Sequence, residues 1–133
     1  MKIKIDFFSE DLVKAIGAGI YKASVIKPDG DNAPLYIGES VFVLVRCATH
    51  LFELMRNPGY FGFTQKDIEN DQIILKFEML EQIDDSQNRK HREKEIINET
   101  LNAQQIICQS GISDRMKGID DKINSLTAFL SSK

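Results

Sequence analysis

The 133-residue sequence predicts an α+β fold, with a small three-stranded antiparallel sheet flanked by helices and an extra C-terminal helix. Three observations favour this class. The length suits one compact core. Two segments with alternating apolar residues flank a turn-rich stretch, as in a hairpin. Later segments repeat their apolar residues every three or four positions, as helices do.

The first part of the chain is predicted to form mainly strands. Residues 2–8 alternate well enough for a short strand, and Ser9 caps a helical turn. Residues 19–27 alternate as a second strand. Turn-forming residues fill the stretch PDGDNAP at 28–34, and residues 35–38 follow as another strand. We therefore expect an antiparallel hairpin.

A helix is predicted over residues 41–57, with Ser40 as its N-cap. Its apolar residues recur at helical spacing and predict a wide buried face. They are Val41, Leu44, Val45, Ala48, Leu51, Phe52 and Met55. The Asn-Pro-Gly sequence at 57–59 ends this helix, because the residue before a proline avoids helical geometry.

Three further elements follow this helix. Thr64 with Asp67 forms a capping-box pattern, with Asp in place of the usual Glu, and predicts another short helix. Residues 72–80 alternate apolar and polar side chains, which predicts the third core strand. Residues 84–86 open a long helix that we expect to run to about Cys108.

The end of the chain predicts a separate helix. Gly111 interrupts the long helix, and Ser113 is a candidate cap for the next one. Apolar residues recur between positions 116 and 130 at intervals of three and four. We divide the chain into a domain at 1–110 and an amphipathic helix at 111–133. The helix covers the domain in our first interpretation and forms a homodimer contact in the second.

Composition narrows the possible classes of protein. With 42% apolar residues, 28% charged residues and 3 prolines, the chain is not typical of a disordered protein. Its formal charge of −3 argues against general polyanion binding but does not exclude a local basic site. We expect a cytoplasmic protein without a membrane partner. Cys47 and Cys108 stand far apart in apolar segments, which predicts reduced, packed thiols.

Five polar residues are candidate site residues because of the order in which they occur along the chain. The triplets GIY at 19–21 and YIG at 36–38 lie in the two strands of the predicted hairpin. Arg46 follows eight residues after the YIG glycine, and His50 lies one helical turn later. Glu93 follows an arginine early in the long helix. Each residue alone is explained as a strand aromatic or part of a solvated helix face.

Taken together, this order resembles the GIY-YIG nuclease family over about residues 17–100, although either triplet alone would be a weak signal. The resemblance implies the three-stranded sheet described above. It also implies a metal-dependent endonuclease that hydrolyses phosphodiester bonds in DNA with Mg²⁺ or Mn²⁺. The alternative is a nuclease-fold binding or assembly module without catalysis. A third is an interaction subunit whose C-terminal helix pairs with another chain.

The two tyrosines are implied to act on the attacking water. Tyr21 would take a proton from water or position it, and Tyr36 would hydrogen-bond the phosphate or the water. A phenol with an ordinary pKa of about 10 is a poor base at neutral pH. Some family members have a lysine three residues after the first tyrosine, where this sequence has Ser24. Lys22 is expected on the opposite face of the strand.

The other three residues are implied to bind the metal and the phosphate. Glu93 would be the metal ligand, with Glu95 as the fallback, since Mg²⁺ and Mn²⁺ prefer carboxylate, water and phosphate oxygens. Arg46 would hold a phosphate oxygen in fork geometry. His50 would donate to the phosphate or take part in proton transfer.

Two further features are compatible with nucleic acid. A basic cluster beside the proposed metal ligand is a candidate contact for the DNA backbone, and a solvated helix face is an equal alternative. It contains Arg89, Lys90, Arg92 and Lys94, with His91 among them. The aromatic loop with Tyr60, Phe61 and Phe63 could stack on a base, but we favour packing on the core.

Overall fold

The structure is a computed structural model that describes residues 1–111 and 115–132. Its sheet contains β1 (Lys4–Phe7), β2 (Gly19–Ile26), β3 (Asn32–Ser40) and β4 (Ile74–Gln82). The helices of the described part are α1 (Leu12–Ala15), α2 (Val43–Arg56), α3 (Gln65–Ile68), α4 (Ser86–Ala103) and α5 (Ile119–Ser131), with a short 3-10 helix at Pro58–Tyr60. The predicted α+β class is confirmed.

The sheet is mixed and has four strands in the order β1-β4-β2-β3. Strand β2 is antiparallel to both neighbours, but β1 is parallel to β4. The prediction of a three-stranded antiparallel sheet is therefore wrong. Alternation identifies a strand but not its partner. In the parallel pair, Phe7 lies opposite Phe77, and their ring centroids are 5.4 Å apart.

The hairpin of β2 and β3 is confirmed and is longer than predicted. Strand β3 begins at Asn32, so the turn is shorter than the expected loop at 28–34. The Lys27 amide donates to the Asp31 carbonyl at 2.8 Å, and Gly30 supplies a positive φ of 91°. A bulge between Ala23 and Ser24 shifts the register within the hairpin.

Helix α2 buries a narrower face than the sequence predicts. The buried residues recur every three or four positions: Val43, Cys47, His50 and Leu54. Val41 precedes the helix and is exposed, as are Val45, Phe52 and Met55 within it. The prediction used hydrophobicity alone and therefore left His50 off the buried face. In the structure, His50 is buried and hydrogen-bonds the hydroxyls of Tyr21 and Tyr60. Ser40 does not cap α2, since its Oγ accepts from the Phe42 amide instead.

The capping box of α3 is confirmed. The Thr64 hydroxyl accepts from the Asp67 amide at 3.1 Å, and the Asp67 carboxylate accepts from the Thr64 amide at 2.9 Å. Helix α4 is capped by Asp85, whose carboxylate accepts from the Asn88 amide at 2.9 Å. Both caps satisfy amide groups that have no partner within the helix.

Helix α4 ends at Ala103, so its predicted extension to Cys108 is wrong. The next residues run along the outer edge of β3. The Ile107 amide donates to the Pro34 carbonyl and the Cys108 amide to the Leu35 carbonyl, both at 2.9 Å. An uncovered edge strand exposes unpaired backbone groups, which explains why this segment leaves the helix.

Helix α5 packs on the loop at 58–63. A Cβ added to Gly59 would lie 2.9 Å from Ile119 Cγ2, and one added to Gly62 would lie 2.5 Å from the Lys122 carbonyl oxygen. Leu126 is fully buried beneath the helix. The helix begins at Ile119, and the candidate cap Ser113 lies outside the described residues.

Two groups of apolar side chains form the core. The larger lies between α2 and the sheet and includes Tyr21 and Tyr36, and the smaller consists of Ile20, Ile37, Ile97 and Ile106. Cys47 and Cys108 are buried free thiols, as predicted. Within the described residues, no helix has the length and apolar character that crossing a bilayer requires.

Candidate active site

The two tyrosine triplets lie side by side in the sheet, with Tyr21 directly opposite Gly38. A Cβ added to Gly38 would lie 2.5 Å from the Tyr21 Oη atom and 2.8 Å from Tyr36 Cε2. The side chain of Tyr21 therefore crosses β3 at the one residue type that leaves space for it. The YIG glycine shapes the position of the GIY tyrosine.

Both phenols lie in the interior, on the sheet face that α2 covers. Tyr21 is 0% exposed and Tyr36 is 4% exposed. Their ring centroids lie 6.1 Å apart, and the Tyr36 ring meets the His50 ring edge-on at 5.1 Å. Aromatic rings prefer such tilted and edge-on contacts.

A chain of hydrogen bonds joins the sheet, α2 and the following loop. The Tyr21 hydroxyl lies 2.8 Å from His50 Nε2, and His50 Nδ1 lies 2.7 Å from the Tyr60 hydroxyl. His50 is buried on the inner face of α2, whereas Tyr60 is half-buried. The structure therefore brings His50 to Tyr21, as the endonuclease hypothesis requires.

The histidine is neutral at physiological pH. Burial lowers the pKa of His50 to about 4, and the positive charge of Arg46 acts in the same direction. The pKa of Tyr60 is raised to about 12, mainly by burial and further by the carboxylate of Glu53. With one protonated nitrogen, His50 can donate one hydrogen bond and accept one.

The phenol of Tyr21 holds its proton firmly. Burial raises its pKa above the ordinary value, and the neighbouring Tyr36 and Cys47 add to this effect. Arg46 opposes it. Arg46 is exposed on α2, one turn before His50, so its guanidinium acts on the buried groups from the protein surface. Its charge does not compensate for burial, and a stable phenolate is not expected.

Glu93 lies in a second layer, between α4 and the sheet. It is 5% exposed, and its Oε2 atom is shielded from solvent. One turn before it, Arg89 Nε donates to Glu39 on β3 at 2.6 Å, and one turn after it, Ile97 is buried. Glu95 instead faces outward, with half its side chain exposed. The structure thus distinguishes the two candidate ligands, with Glu93 as the inward one.

The basic cluster on α4 contains two arginines that form ion pairs and two lysines that are exposed. Arg89 is buried by its ion pair, and Arg92 binds both carboxylate oxygens of Glu81 at 3.1 and 2.9 Å. Lys90 and Lys94 are exposed. Of the four predicted DNA contacts, the two lysines have the accessible side chains.

Sequence reasoning missed the roles of two residues. The sequence predicts stacking or packing for Tyr60, whereas the turn at 57–60 brings its hydroxyl to His50. The Asn-Pro-Gly sequence at 57–59 is the signal for that turn. Gln109 carried no local signal. Its side-chain amide binds the amide and the carbonyl of Ile37, both at 2.8 Å, and covers the β3 edge. Phe61 and Phe63 are buried, in agreement with the favoured packing role.

A scan against protein-family models and searches of the curated proteins and of the solved structures find no match for this chain. Its function must therefore be argued from its own residues. Tyr21, Tyr36 and His50 meet on one face of the sheet, with Arg46 at the surface beside them. The structure does not bring Glu93 to them, because Glu93 lies between α4 and the opposite face of the sheet.

Proposed function

We propose that this protein is an endonuclease that hydrolyses phosphodiester bonds in DNA. The observation that supports this function best is the hydrogen bond between the Tyr21 hydroxyl and His50 Nε2. The bond gives the Tyr21 hydroxyl a partner that can accept its proton, whereas some family members have a lysine at the position of Ser24 that lowers the pKa of the first tyrosine. A phenol bonded to an imidazole can pass a proton without becoming a stable phenolate.

The reaction follows from this pair. As the oxygen of a water molecule forms a bond to phosphorus, the water proton passes to Tyr21 Oη and the phenol proton passes to His50 Nε2. The bond from phosphorus to the 3′ oxygen breaks, and that oxygen takes a proton from solvent. His50 then releases its proton through Tyr21. Arg46, exposed beside the pair, stabilises the added charge on the phosphate.

The metal ligand expected at Glu93 does not fit this site. Glu93 lies on the same face of α4 as Ile97, which packs against Ile20 and Ile37. Because successive residues of a strand point to opposite faces, this is the other side of the sheet from Tyr21 and Tyr36. Mg²⁺ is commonly held by one or two carboxylates, with water and phosphate oxygens completing its coordination. A carboxylate on the far side of the sheet does not share a phosphate with Tyr21 and His50, so no step is assigned to a metal at Glu93.

A second candidate function is a nuclease-fold module that binds DNA without cleaving it. Its support is the burial of Tyr21, Tyr36 and His50, because cleavage requires water and DNA to reach them. Helix α2 and the loop at 58–63 cover these three residues. The endonuclease proposal therefore requires these elements to move, and the module proposal does not.

Supercoiled plasmid separates the two functions. The purified protein would be incubated with plasmid and Mg²⁺ or Mn²⁺, beside Tyr21→Phe, Glu93→Gln and the matched control Glu95→Gln. We expect the wild type to nick the plasmid and Tyr21→Phe to lose about 10²-fold or more in rate. Glu93→Gln and Glu95→Gln should retain the rate, because neither carboxylate lies on the face of the sheet that carries Tyr21. Thermal unfolding would show that each variant is folded.

Each result has a defined meaning. DNA binding without nicking by the wild type would favour the module. Nicking that survives Tyr21→Phe in a folded protein would contradict the proposed proton relay. Loss of nicking in a folded Glu93→Gln or Glu95→Gln protein would show that this carboxylate takes part in the reaction.

A further inference from the structure

The direction of the two hydrogen bonds of the buried His50 depends on which ring nitrogen carries the proton. Both ring nitrogens of His50 bond a tyrosine hydroxyl, yet a neutral imidazole has only one N–H. Either Nδ1–H donates to Tyr60 and Nε2 accepts from Tyr21, or the two roles are reversed. Only the first arrangement leaves Nε2 able to take a proton from Tyr21.

The surroundings of Tyr21 favour the first arrangement. Tyr21 is 0% exposed, and among the described residues His50 Nε2 is the hydrogen-bond partner of its hydroxyl. If His50 donated to Tyr21, the phenol proton would need another acceptor in a site closed to water. A buried hydroxyl without an acceptor is costly. The Tyr21 hydroxyl therefore donates to Nε2.

Tyr60 has the freedom that Tyr21 lacks. It is half-buried, so its own proton can go to water while its oxygen accepts the Nδ1 proton of His50. Its ring is fixed by two neighbours. The Phe61 ring meets it edge-on at a centroid distance of 5.0 Å, and Lys122 Nζ lies 5.1 Å from its centroid.

We propose that Tyr60 is a positioning residue, which accepts the Nδ1 proton of His50 and thereby holds Nε2 ready to receive the proton of Tyr21. This inference rests on the proposed nuclease function for its role in the reaction, but the tautomer can be measured without activity. Helix α5 contributes to the arrangement, since it packs on the loop that carries Tyr60 and places Lys122 over the ring.

Nitrogen NMR of the histidine rings tests the tautomer. The chain contains 2 histidines, so ¹⁵N-histidine labelling gives two ring systems, and the exposed His91 serves as an internal reference. At pH 7 we expect a protonated Nδ1 and an unprotonated Nε2 in His50. In Tyr60→Phe, which keeps the ring and its contact with Lys122, we expect a mixture of tautomers, because each tautomer then leaves either His50 Nδ1–H or the Tyr21 hydroxyl proton without an acceptor. The His91 signals should not change.

Kinetics tests the role in the reaction. Tyr60→Phe should lower the kcat for plasmid nicking about 10-fold to 100-fold, with little change in KM, because the substitution does not remove a proposed DNA contact. Phe63→Leu is the matched control for a loop aromatic residue that packs without bonding His50, and we expect it to retain kcat.

The outcomes are distinguishable from failure of the proposed function. A protonated Nε2 in the wild type would overturn the inference even if Tyr60→Phe did not fold. An unchanged tautomer in a folded Tyr60→Phe would overturn it as well, as would a changed tautomer with unchanged kcat. If the wild type does not nick DNA, the nuclease proposal fails, and the NMR spectra alone decide whether Tyr60 holds the tautomer.

Discussion

Gly38 of the YIG triplet leaves room for the side chain of a candidate site residue, Tyr21. It lies opposite Tyr21, and a Cβ there would meet the phenol. Gly19, the glycine of the other triplet, also has no room for a Cβ, but because of different neighbours. A Cβ at that position would collide with the Glu81 carbonyl oxygen and lie 2.7 Å from Met79 Cε. The triplets are thus also packing motifs.

The burial of His50 predicts a dependence of stability on pH. Its pKa is about 4 in the folded protein and about 6.5 in an unfolded chain. Because the unfolded state binds the proton first, this contribution to stability is present above pH 6.5 and is lost as pH falls through 4. The full difference corresponds to about 3 kcal/mol.

Urea unfolding between pH 7.5 and 4 measures this effect. His50→Gln removes the titrating group, and His91→Gln removes the exposed histidine as a control. Acid titration of carboxylates affects all three proteins alike. We expect the stability of the wild type to approach that of His50→Gln as the pH falls, while His91→Gln follows the wild type. Parallel curves for the wild type and His50→Gln would contradict this expectation.

Among the elements, β3 receives hydrogen bonds from a distant part of the chain. It is an edge strand, and the segment after α4 supplies partners for Pro34, Leu35 and Ile37. Gln109 is 1% exposed, and its side-chain amide makes the hydrogen bonds to Ile37 that a neighbouring strand would otherwise make. Both backbone groups of Ile37 are satisfied in this way.

We expect Gln109→Ala to destabilise the protein by about 1–3 kcal/mol, because it leaves two buried backbone groups of Ile37 unsatisfied. Hydrogen exchange of the Ile37 amide should become faster. Gln105→Ala is the control, since the amide of Gln105 is exposed and bonds only Ser125 among the described residues. Equal losses of stability in denaturant unfolding would show that the edge cover contributes little.

For the whole molecule, the position of α5 bears on the homodimer hypothesis. The helix buries Leu126 completely and contacts the loop at 58–63. Large exposed apolar side chains include Ile119 on this helix and, in and beside α2, Val41, Val45, Phe52 and Met55. Part of the apolar seam predicted for the last helix is thus buried within the chain.

Leu126→Ala tests this assignment. We expect it to lower the free energy of unfolding by about 2–5 kcal/mol, as a large-to-small change in a core does. Analytical ultracentrifugation under native conditions should give the same mass as for the wild type. Thr127→Ala, at an exposed position on the same helix, should change neither quantity. A dimer that dissociates in a folded Leu126→Ala protein would favour the homodimer contact.

The sequence by itself determined the α+β class, the hairpin, the Thr64 capping box and the order of the five candidate site residues. These features depend on side chains a few positions apart, whose periodicity and turn chemistry act locally. Only the tertiary structure decided that β1 joins β4 in parallel, that α4 ends at Ala103 and that His50 lies between two phenols. Those outcomes depend on which distant surfaces bury one another and which buried polar atoms find partners, and a local pattern does not encode either choice.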